Sequence, residues 1–345
     1  MSEQRISNSD LSLTKLVPYL EALLNVDLSD VEAEVTKVAG GFSNPTYFIQ
    51  FDQKVDLVLR KKPAGKLLPS AHAIDREFKV MSALAKTDVP VPKMVHYETD
   101  DSIVGTEFYL MERVEGRVFH DNRLPEIPVE QRGLYYAAMN QTLAKLHKVK
   151  VADVGLAEFG RTGGFVERQI KRWSGQYEKS RTTDVAEISE LSEWLLANCP
   201  EDTETTIVHG DFRLGNLMFH PERPEVVAVL DWELSTLGDP MTDLGYNLMV
   251  WSMSGDQFKG IADQDFTNCG IPARRDYIKS YFAERGLSES LSPFYVAFSF
   301  FKLAVIFDGV LSRGGAGAAA HPDVDISNFN RVAAQLGLAV VRHGL

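Results

Sequence analysis

The sequence predicts an α+β protein of two lobes: an N-terminal lobe with an antiparallel sheet and a helix, and a larger, mostly helical C-terminal lobe. Three observations lead to this prediction. The 345 residues exceed one average domain. Up to about residue 113, apolar runs alternate with turn residues, as in strands. Beyond that point, apolar residues recur at helical intervals. We expect lobes at residues 1–113 and 114–345.

The N-terminal lobe is predicted from its strand-like runs. The segment "EVTKVAGGFSNPTYFIQF" indicates a strand, a loop with a Gly pair and a second strand. A third strand, "VDLVLRKKP", ends at Pro63, and a fourth, "TEFYLMERVEG", ends at Gly116. Between them, "AIDREFKVMSAL" has the spacing of a helix, with apolar residues at Ile74, Phe78, Met81 and Leu84.

The C-terminal lobe is predicted from helical patterns such as "GLYYAAMNQTLAKLHKV" and "VAEISELSEWLLAN". Its most apolar stretch, "PFYVAFSFFKLAVIF", is interrupted by Lys302 and followed by Asp308. A membrane span needs roughly 20 apolar residues, so this stretch indicates a buried helix. Because a buried polar group needs a partner, Lys302 and Asp308 either form an internal salt bridge or face a substrate.

Composition excludes several classes of protein. The net charge of −12 argues against a nucleic-acid-binding surface. Cys199 and Cys269 stand in unrelated contexts and have neither metal-site nor disulfide spacing, which fits a reducing compartment. The polar start "MSEQRISNSDLSL" has no apolar segment typical of a signal peptide. We therefore expect a cytoplasmic protein that binds neither nucleic acid nor membrane; the oligomeric state is not predicted.

The residues that carry chemistry lie in "IVHGDFRLGNLMFHPERPEVVAVLDWE", from Ile207 to Glu233. Phosphoryl transfer from ATP needs one carboxylate to accept the proton of the attacking hydroxyl, and another to hold Mg²⁺. Asp211 and Asp231 stand at the ends of strand-like runs, and Asn216 adds a neutral oxygen ligand of the kind that Mg²⁺ accepts. Their order and spacing are those of a kinase catalytic loop followed by a metal-binding Asp.

On these motifs, the chain resembles the aminoglycoside phosphotransferase superfamily, which has the protein-kinase-like fold. The segment "LRKKPAGKLLPSAHAIDREFKVMSAL" is similar to the kinase-like domain that some acyl-CoA dehydrogenases carry. The resemblance implies ATP and Mg²⁺ as cofactors, Asp211 as the catalytic base, and Asn216 and Asp231 as metal ligands. It also implies a set of nucleotide-binding residues: Gly41, Ser43 and Asn44 in the phosphate loop "GGFSN", Arg60 with Glu77, and the hinge backbone from Glu112 to Val114.

Two features depart from the pattern of this family. Arg60 stands where a lysine usually grips the phosphates, and Lys61 or Lys62 could take that role through a change of register. The loop "GGFSN" is not a G-x-G-x-x-G sequence, so Ser43 and Asn44 could assist its backbone N–H groups.

The acceptor is expected to be a small molecule, because the chain has no A-P-E segment and carries an insertion at residues 148–205. Within it, "FVERQIKRWSGQYEKSR" has five basic and two acidic residues, which favours an anionic acceptor such as a hydroxyacyl-CoA. A solvated helix face is the alternative. Candidate acceptor-binding residues are Arg168, Lys171, Arg172, Glu233, Lys302 and Asp308.

Two other functions remain open at this point. One is a kinase of an aminoglycoside or of an amino-alcohol such as choline. The other is an inactive, nucleotide-binding scaffold with a kinase fold. The complete set of Asp211, Asn216 and Asp231 argues against the scaffold, because a catalytically idle site does not require all three.

Overall fold

The computed structural model describes residues 3–5, 11–38, 44–65, 73–181, 184–312 and 328–345. The chain forms two compact units. The N-terminal unit comprises residues 1–86 and 90–115, and the C-terminal unit comprises residues 87–89 and 116–345. The lobe limits at residues 113 and 114 stay a prediction.

The N-terminal unit is built on an antiparallel sheet whose strand order is β1-β2-β3-β4-β6-β5 among the described residues. In β3, alternate residues are buried because successive side chains of a strand point to opposite faces. The strands are β1 (Glu3–Arg5), β2 (Glu34–Val38), β3 (Thr46–Phe51), β4 (Val55–Lys61), β5 (Met94–Glu98) and β6 (Phe108–Glu112).

Helices add to the core of this unit. The predicted helix is α2 (Ile74–Leu84), which buries Ile74, Val80 and Leu84. Two helices are additional to the one that the sequence predicts: α1 (Leu13–Leu24) and α3 (Asp101–Val104). Pro18 lies inside α1, which obscures its helical pattern, yet Leu16 and Leu20 on one face are fully buried in the same core as β3 and β4.

The C-terminal unit is mostly helical in its described part. Its small strands form two sheets, with orders β10-β9-β7 and β11-β8. The helices are α4 (Val129–Lys148), α5 (Phe165–Ser180), α6 (Ala186–Ala197), α7 (Met241–Leu248), α8 (Arg274–Arg285), α9 (Pro293–Ser312) and α10 (Phe329–His343). The strands are β7 (Arg117–Val118), β8 (Thr206–Val208), β9 (Leu217–Phe219), β10 (Val226–Val229) and β11 (Thr236–Gly238).

Helix α9 is the centre of the C-terminal unit and packs against α5, α6, α7 and α10. Among the described residues, it is the one helix long and apolar enough to cross a membrane by length and composition. Of its most apolar 18-residue window, 72% is buried inside the protein. The buried helix predicted from the sequence is therefore present.

Candidate active site

Asp211 lies in a short loop between β8 and β9. The β8 strand is held in place by antiparallel pairing with β11, and a 3₁₀ turn at Leu214–Asn216 leads into β9. The amide nitrogen of Asn216 donates to the backbone oxygen of Asp211 at 2.8 Å and to its carboxylate Oδ2 at 2.7 Å. The loop thus closes on itself and fixes the distance between the carboxylate and the amide.

The β9–β10 hairpin brings Asp231 to the same place. Its register pairs Leu217 with Val229, and the N–H of Leu230 donates to the carbonyl of Asn216 at 2.9 Å. Asp231 is the next residue and has a left-handed backbone, with φ 64°. One hairpin register therefore sets Asn216 and Asp231 side by side at the ends of neighbouring strands.

His209 joins the two loops. Its Nδ1 accepts the N–H of Asp211 at 3.2 Å, and its Nε2 donates to the carbonyl of Leu230 at 2.8 Å. The fully buried ring also packs on Trp232, with 4.8 Å between the ring centroids. One nitrogen accepts and the other donates, so the imidazole is neutral and acts as a brace between the loops.

Asp243 on α7 holds the start of the catalytic loop. Its carboxylate accepts the N–H of His209 at 2.6 Å and that of Gly210 at 2.8 Å. His147 approaches it at 3.3 Å, and the Tyr281 hydroxyl contacts the other ring nitrogen of His147 at 2.7 Å. Burial alone would raise the pKa of Asp243, but these partners lower it, so the carboxylate is an ionised acceptor.

Three groups set the charge around Asp211. The Arg213 guanidinium lies 3.2 Å from Oδ2, and the Tyr246 hydroxyl and the Lys302 ammonium both favour the ionised carboxylate. Burial raises the pKa of Asp211, yet the combined effect of these neighbours outweighs it and the pKa is lowered. The carboxylate is therefore ionised at neutral pH, as a proton acceptor must be.

Sequence reasoning missed Arg213 and Tyr246. Arg213 follows Asp211 by two residues, and its half-exposed side chain also interacts electrostatically with Asp231. Arg213 lies within the segment from Ile207 to Glu233, so the sequence alone could have identified it as a candidate. Tyr246 comes from α7, three residues after Asp243, and only the packing of α7 under the loop brings it to Asp211.

The other acceptor-side candidates separate in the structure. The Lys302 ammonium donates to the carbonyl of Gly210 at 2.6 Å, whereas Asp308, further along α9, accepts from Asn330 at 3.0 Å. Neither forms a salt bridge within the described residues, so of the two alternatives the internal salt bridge is not observed there. The six-residue separation places the two side chains in different surroundings. Glu233 lies in the 3₁₀ turn after Asp231, half-buried.

In the N-terminal unit, Arg60 and Glu77 form a buried ion pair. Arg60 Nε lies 2.9 Å from Glu77 Oε2, and Tyr109 donates to the same oxygen at 2.9 Å. Asn44 donates to the other oxygen at 2.7 Å. Three of the predicted nucleotide-binding residues, Asn44, Arg60 and Glu77, are therefore in one hydrogen-bonded cluster. Gly41 and Ser43 lie outside the described residues.

The register of β4 decides between Arg60 and its neighbours as partners of Glu77. Lys61 points to the opposite face and donates to the carbonyl of Val104, while Lys62 pairs with Glu107 at 2.6 Å. Arg60 is thus the cation that Glu77 orients.

The donor set fits a magnesium ion that takes most of its ligands from phosphate and water. Both hydrogen bonds of Asn216 use its amide nitrogen, so the amide oxygen points elsewhere, and the hairpin register places Asp231 close to Asn216 in the fold. No cluster of three or more His, Cys, Asp and Glu side chains that could hold a metal occurs in the described part of the chain. A site with few protein ligands is typical of Mg²⁺ and not of a structural zinc.

Comparison with known proteins gives the family. Residues 34–285 match the model of the APH phosphotransferase enzyme family. The chain belongs to the APH phosphotransferase enzyme family. The resemblance inferred from the motifs is therefore confirmed.

Three relatives illustrate the match of this APH family member. Acyl-CoA dehydrogenase family member 10 of Mus musculus is 44% identical over 308 residues, covering 88% of this chain and 29% of the relative. Acyl-CoA dehydrogenase family member 11 of Rattus norvegicus is 42% identical over 339 residues, covering 94% and 43%. The chain thus spans less than half of these two relatives.

A crystal structure from Ralstonia eutropha JMP134, provisionally described as an aminoglycoside phosphotransferase, is 38% identical. Its TM-score is 0.85, and the match covers 96% of this chain and 98% of that one.

Part of the predicted hinge of the phosphotransferase forms hydrogen bonds within the N-terminal unit. The N–H of Glu112 donates to the carbonyl of Lys93 at 2.9 Å, and its side chain pairs with Lys93. In the described part of the chain, no hydrogen bond engages the backbone of Val114. A nucleotide contact at Glu112 or Val114 stays a prediction.

The basic residues of α5 have different surroundings. The Arg168 guanidinium turns back to the carbonyls of Gly163 and Arg161, and Lys171 pairs with Glu167 at the surface. Arg172 lies over the Trp173 ring, 5.6 Å from its centroid, and interacts electrostatically with Lys302. Arg168 therefore closes the loop before α5, whereas Lys171 and Arg172 stay available at the surface.

A shallow groove of about 450 Å³ runs along the outer side of α5. The described residues that line it include Lys171, Arg172 and Lys179, together with Gln176 and Ser180. Three cations and two neutral polar groups suit an anionic ligand.

Proposed function

We propose that this member of the APH family is an ATP- and Mg²⁺-dependent phosphotransferase that acts on a hydroxyl group of an anionic small molecule, with hydroxyacyl-CoA as the first acceptor to test. The observation that carries the proposal is the β9–β10 register, which sets Asn216 and Asp231 side by side while Asn216 binds Asp211. A proton acceptor and two oxygen ligands thus come from one short stretch of chain.

Asp211 would accept the proton of the acceptor hydroxyl. Its ionised carboxylate is oriented by Asn216, and its backbone N–H is held by His209. The oxygen of the deprotonated hydroxyl then attacks the terminal phosphorus of ATP, and ADP leaves. Asn216 and Asp231 would hold Mg²⁺, which when bound neutralises charge on the phosphates.

Arg213 would act on the charge of the group being transferred. Its guanidinium lies beside Asp211 and interacts electrostatically with Asp231. It can therefore stabilise the negative charge that develops on a phosphoryl group between the proton acceptor and the metal ligands. In the N-terminal unit, Arg60 would bind the other phosphates, because Glu77 fixes its orientation and leaves the planar guanidinium as a fork of N–H donors.

The acceptor class rests on charge and on the relatives. The groove on α5 presents three cations in a protein of net charge −12. A polycationic aminoglycoside would be repelled there, whereas the phosphates of coenzyme A would be attracted. The mouse and rat relatives are named for acyl-CoA substrates, which supports an acyl-CoA derivative as acceptor.

A screen of acceptors tests the proposal. ADP formation with Mg²⁺-ATP is measured against hydroxyacyl-CoAs, the matching acyl-CoAs without the hydroxyl, aminoglycosides and choline. We expect stoichiometric phosphorylation of a hydroxyacyl-CoA, detected by mass spectrometry, and none of the unhydroxylated thioester. Asp211→Asn should lower turnover by about 10²–10⁴-fold and keep Mg²⁺-ATP binding, because a general base acts on the acceptor and not on the nucleotide.

Two results would replace the proposal. Efficient turnover of an aminoglycoside or of choline would identify an amino-alcohol kinase, the function that the Ralstonia structure's provisional description suggests. Nucleotide binding without turnover of any acceptor would identify a scaffold.

A further inference from the structure

The peptide backbone at Gly210 is held from both sides, immediately before Asp211. The Gly210 N–H donates to Asp243 Oδ1 at 2.8 Å, and its carbonyl accepts from Lys302 Nζ at 2.6 Å. Gly210 has φ +84°, a left-handed conformation that favours glycine. A Cβ at this position would lie 2.8 Å from the carbonyl oxygen of Leu234. The residue thus has little freedom to move on any side.

The surroundings of Lys302 are unusual for a lysine. It lies on α9, whose buried residues are mostly apolar, and its ammonium stands 5.1 Å from the centroid of the Tyr246 ring. The charged groups that act on it electrostatically are Asp211, Asp243 and Arg172 of α5. Among the described residues, no carboxylate lies within salt-bridge distance of the ammonium, which donates its hydrogen bond to the neutral Gly210 carbonyl.

A role in stability alone does not explain this cation. Burial lowers the pKa of Lys302, since desolvation penalises the ammonium, and the two aspartates only partly offset that effect. An apolar side chain of similar length would pack into the same helix without this cost. What an apolar side chain cannot do is donate to the Gly210 carbonyl.

We propose that Lys302 is a positioning residue for Asp211: together with Asp243 it clamps the Gly210 peptide and so fixes the direction in which the Asp211 carboxylate is presented. The inference rests on the proposed role of Asp211 as proton acceptor. It assigns Lys302 to the catalytic loop and not to the acceptor.

The clamp has a kinetic consequence. Without the ammonium, the Gly210 carbonyl loses its partner and the peptide can rotate about its flanking bonds, which displaces Asp211. A displacement of about 1 Å at a reacting group can cost about 100-fold in rate. ATP does not depend on this peptide, so its KM should change little.

The test compares Lys302→Met with wild type by two independent measurements. Hydrogen–deuterium exchange over residues 207–217 reports the clamp without any acceptor, and it should increase in the variant. Steady-state kinetics on the true acceptor should show kcat lower by about 10–100-fold, with KM values for ATP and acceptor within about twofold. Ser299→Ala is the matched control, since it removes a buried hydroxyl of α9 that bonds only within its own helix, to Tyr295.

A second variant separates the missing donor from general damage to the fold. Lys302→Ala leaves space for a small amine, so ethylammonium should restore part of kcat, whereas tetramethylammonium, a cation without an N–H donor, should not. Unchanged exchange in Lys302→Met, or failure of ethylammonium to restore any activity, would overturn the clamp. A rise in acceptor KM at constant kcat would also overturn the clamp and would indicate that Lys302 contacts the acceptor. If Asp211→Asn keeps wild-type turnover, the role of Asp211 fails, and the exchange measurement still decides whether Lys302 holds the loop.

Discussion

At the scale of single residues, the candidate site depends on side chains whose hydrogen bonds leave one orientation available. Asn216 uses its amide nitrogen on Asp211, His209 uses one ring nitrogen in each loop, and Glu77 accepts from three donors. Substitutions that preserve shape but change one donor or one charge are therefore the most informative.

Asp231→Asn should weaken Mg²⁺-ATP binding by at least about tenfold and leave binding of metal-free ATP unchanged. It removes a charge from the proposed metal site, and asparagine tolerates the left-handed backbone that Asp231 adopts. Titration calorimetry with Mg²⁺ and with EDTA measures both affinities. Glu225→Gln, at the far end of the same hairpin, is the charge-matched control. Equal Mg²⁺-ATP affinities for Asp231→Asn and wild type would exclude Asp231 from the metal site.

Glu77→Gln should raise the KM for ATP and lower stability. Glutamine has one acceptor oxygen where glutamate has two, so it cannot accept from Asn44 as well as from Arg60 and Tyr109, and Arg60 loses its anionic partner. Removing one member of a buried ion pair costs about 3–5 kcal/mol in the free energy of unfolding.

Tyr109→Phe is the control for Glu77→Gln, because it removes one hydrogen bond to the same carboxylate and leaves Arg60 paired. It should cost about 1–3 kcal/mol without changing the KM for ATP. If both variants change that KM equally, Arg60 has no special role toward the phosphates.

At the scale of secondary-structure elements, α5 carries the basic groove that we propose as the binding surface for an anionic acceptor. Lys171→Gln with Arg172→Gln should raise the KM for an anionic acceptor about two- to thirtyfold, given about 0.2–1 kcal/mol for each exposed charge contact. The effect should shrink in high salt, because salt screens exposed charges. Arg168 is left intact because its guanidinium holds the loop before the helix.

The matched control removes the same charge from another helix. Arg275→Gln with Lys279→Gln changes two exposed cations of α8 and should leave the acceptor KM unchanged. If the acceptor KM rises equally in both double variants, the effect of the α5 substitutions comes from the overall charge of the protein. The basic residues of α5 would then be a solvated helix face.

The elements also show what sequence could and could not predict. Asp211, Asn216 and Asp231 lie within 21 residues, so local spacing was sufficient to place them at strand ends. Arg60 and Glu77 required only the order of a strand and a helix. Lys302 reaches the Gly210 carbonyl through the packing of α9, and the packing of α7 brings Tyr246 near Asp211; no local sequence pattern encodes either arrangement. Arg168 had the spacing of a charged face, but its side chain donates to backbone carbonyls of the loop before α5.

At the scale of the whole molecule, global stability should respond to a carboxyl buried in the C-terminal unit. Asp308 is 5% exposed; its Oδ1 accepts from Asn330, whereas its Oδ2 has no hydrogen-bond partner among the residues that the structure describes. Burial raises the pKa of Asp308, although Asn330 and the more distant Arg181 oppose this effect. The folded protein therefore binds this proton more tightly than the unfolded chain, and the ionised group destabilises the fold above its folded pKa.

Asp308→Asn should therefore stabilise the protein at pH 8, by on the order of 1 kcal/mol. The gain should vanish as the pH falls toward about 3.9, the pKa of an unfolded aspartate, because wild-type Asp308 is then neutral as well. Denaturant unfolding at several pH values measures this difference. The exposed Asp153→Asn should show no such trend. A constant or inverted difference between Asp308→Asn and wild type would contradict the assignment.

The geometry of the β9–β10 hairpin also determines where this segment of the chain can tolerate inserted residues. Asn216 and Asp231 stand at its open end, whereas its turn, residues 220–225, is exposed over most of its length at the opposite end. Residues added in the turn leave the register intact, but a single residue inserted into either strand would separate Asn216 from Asp231. The turn is therefore the place where this catalytic segment can accept an epitope, a fluorophore or a new peptide and still assemble.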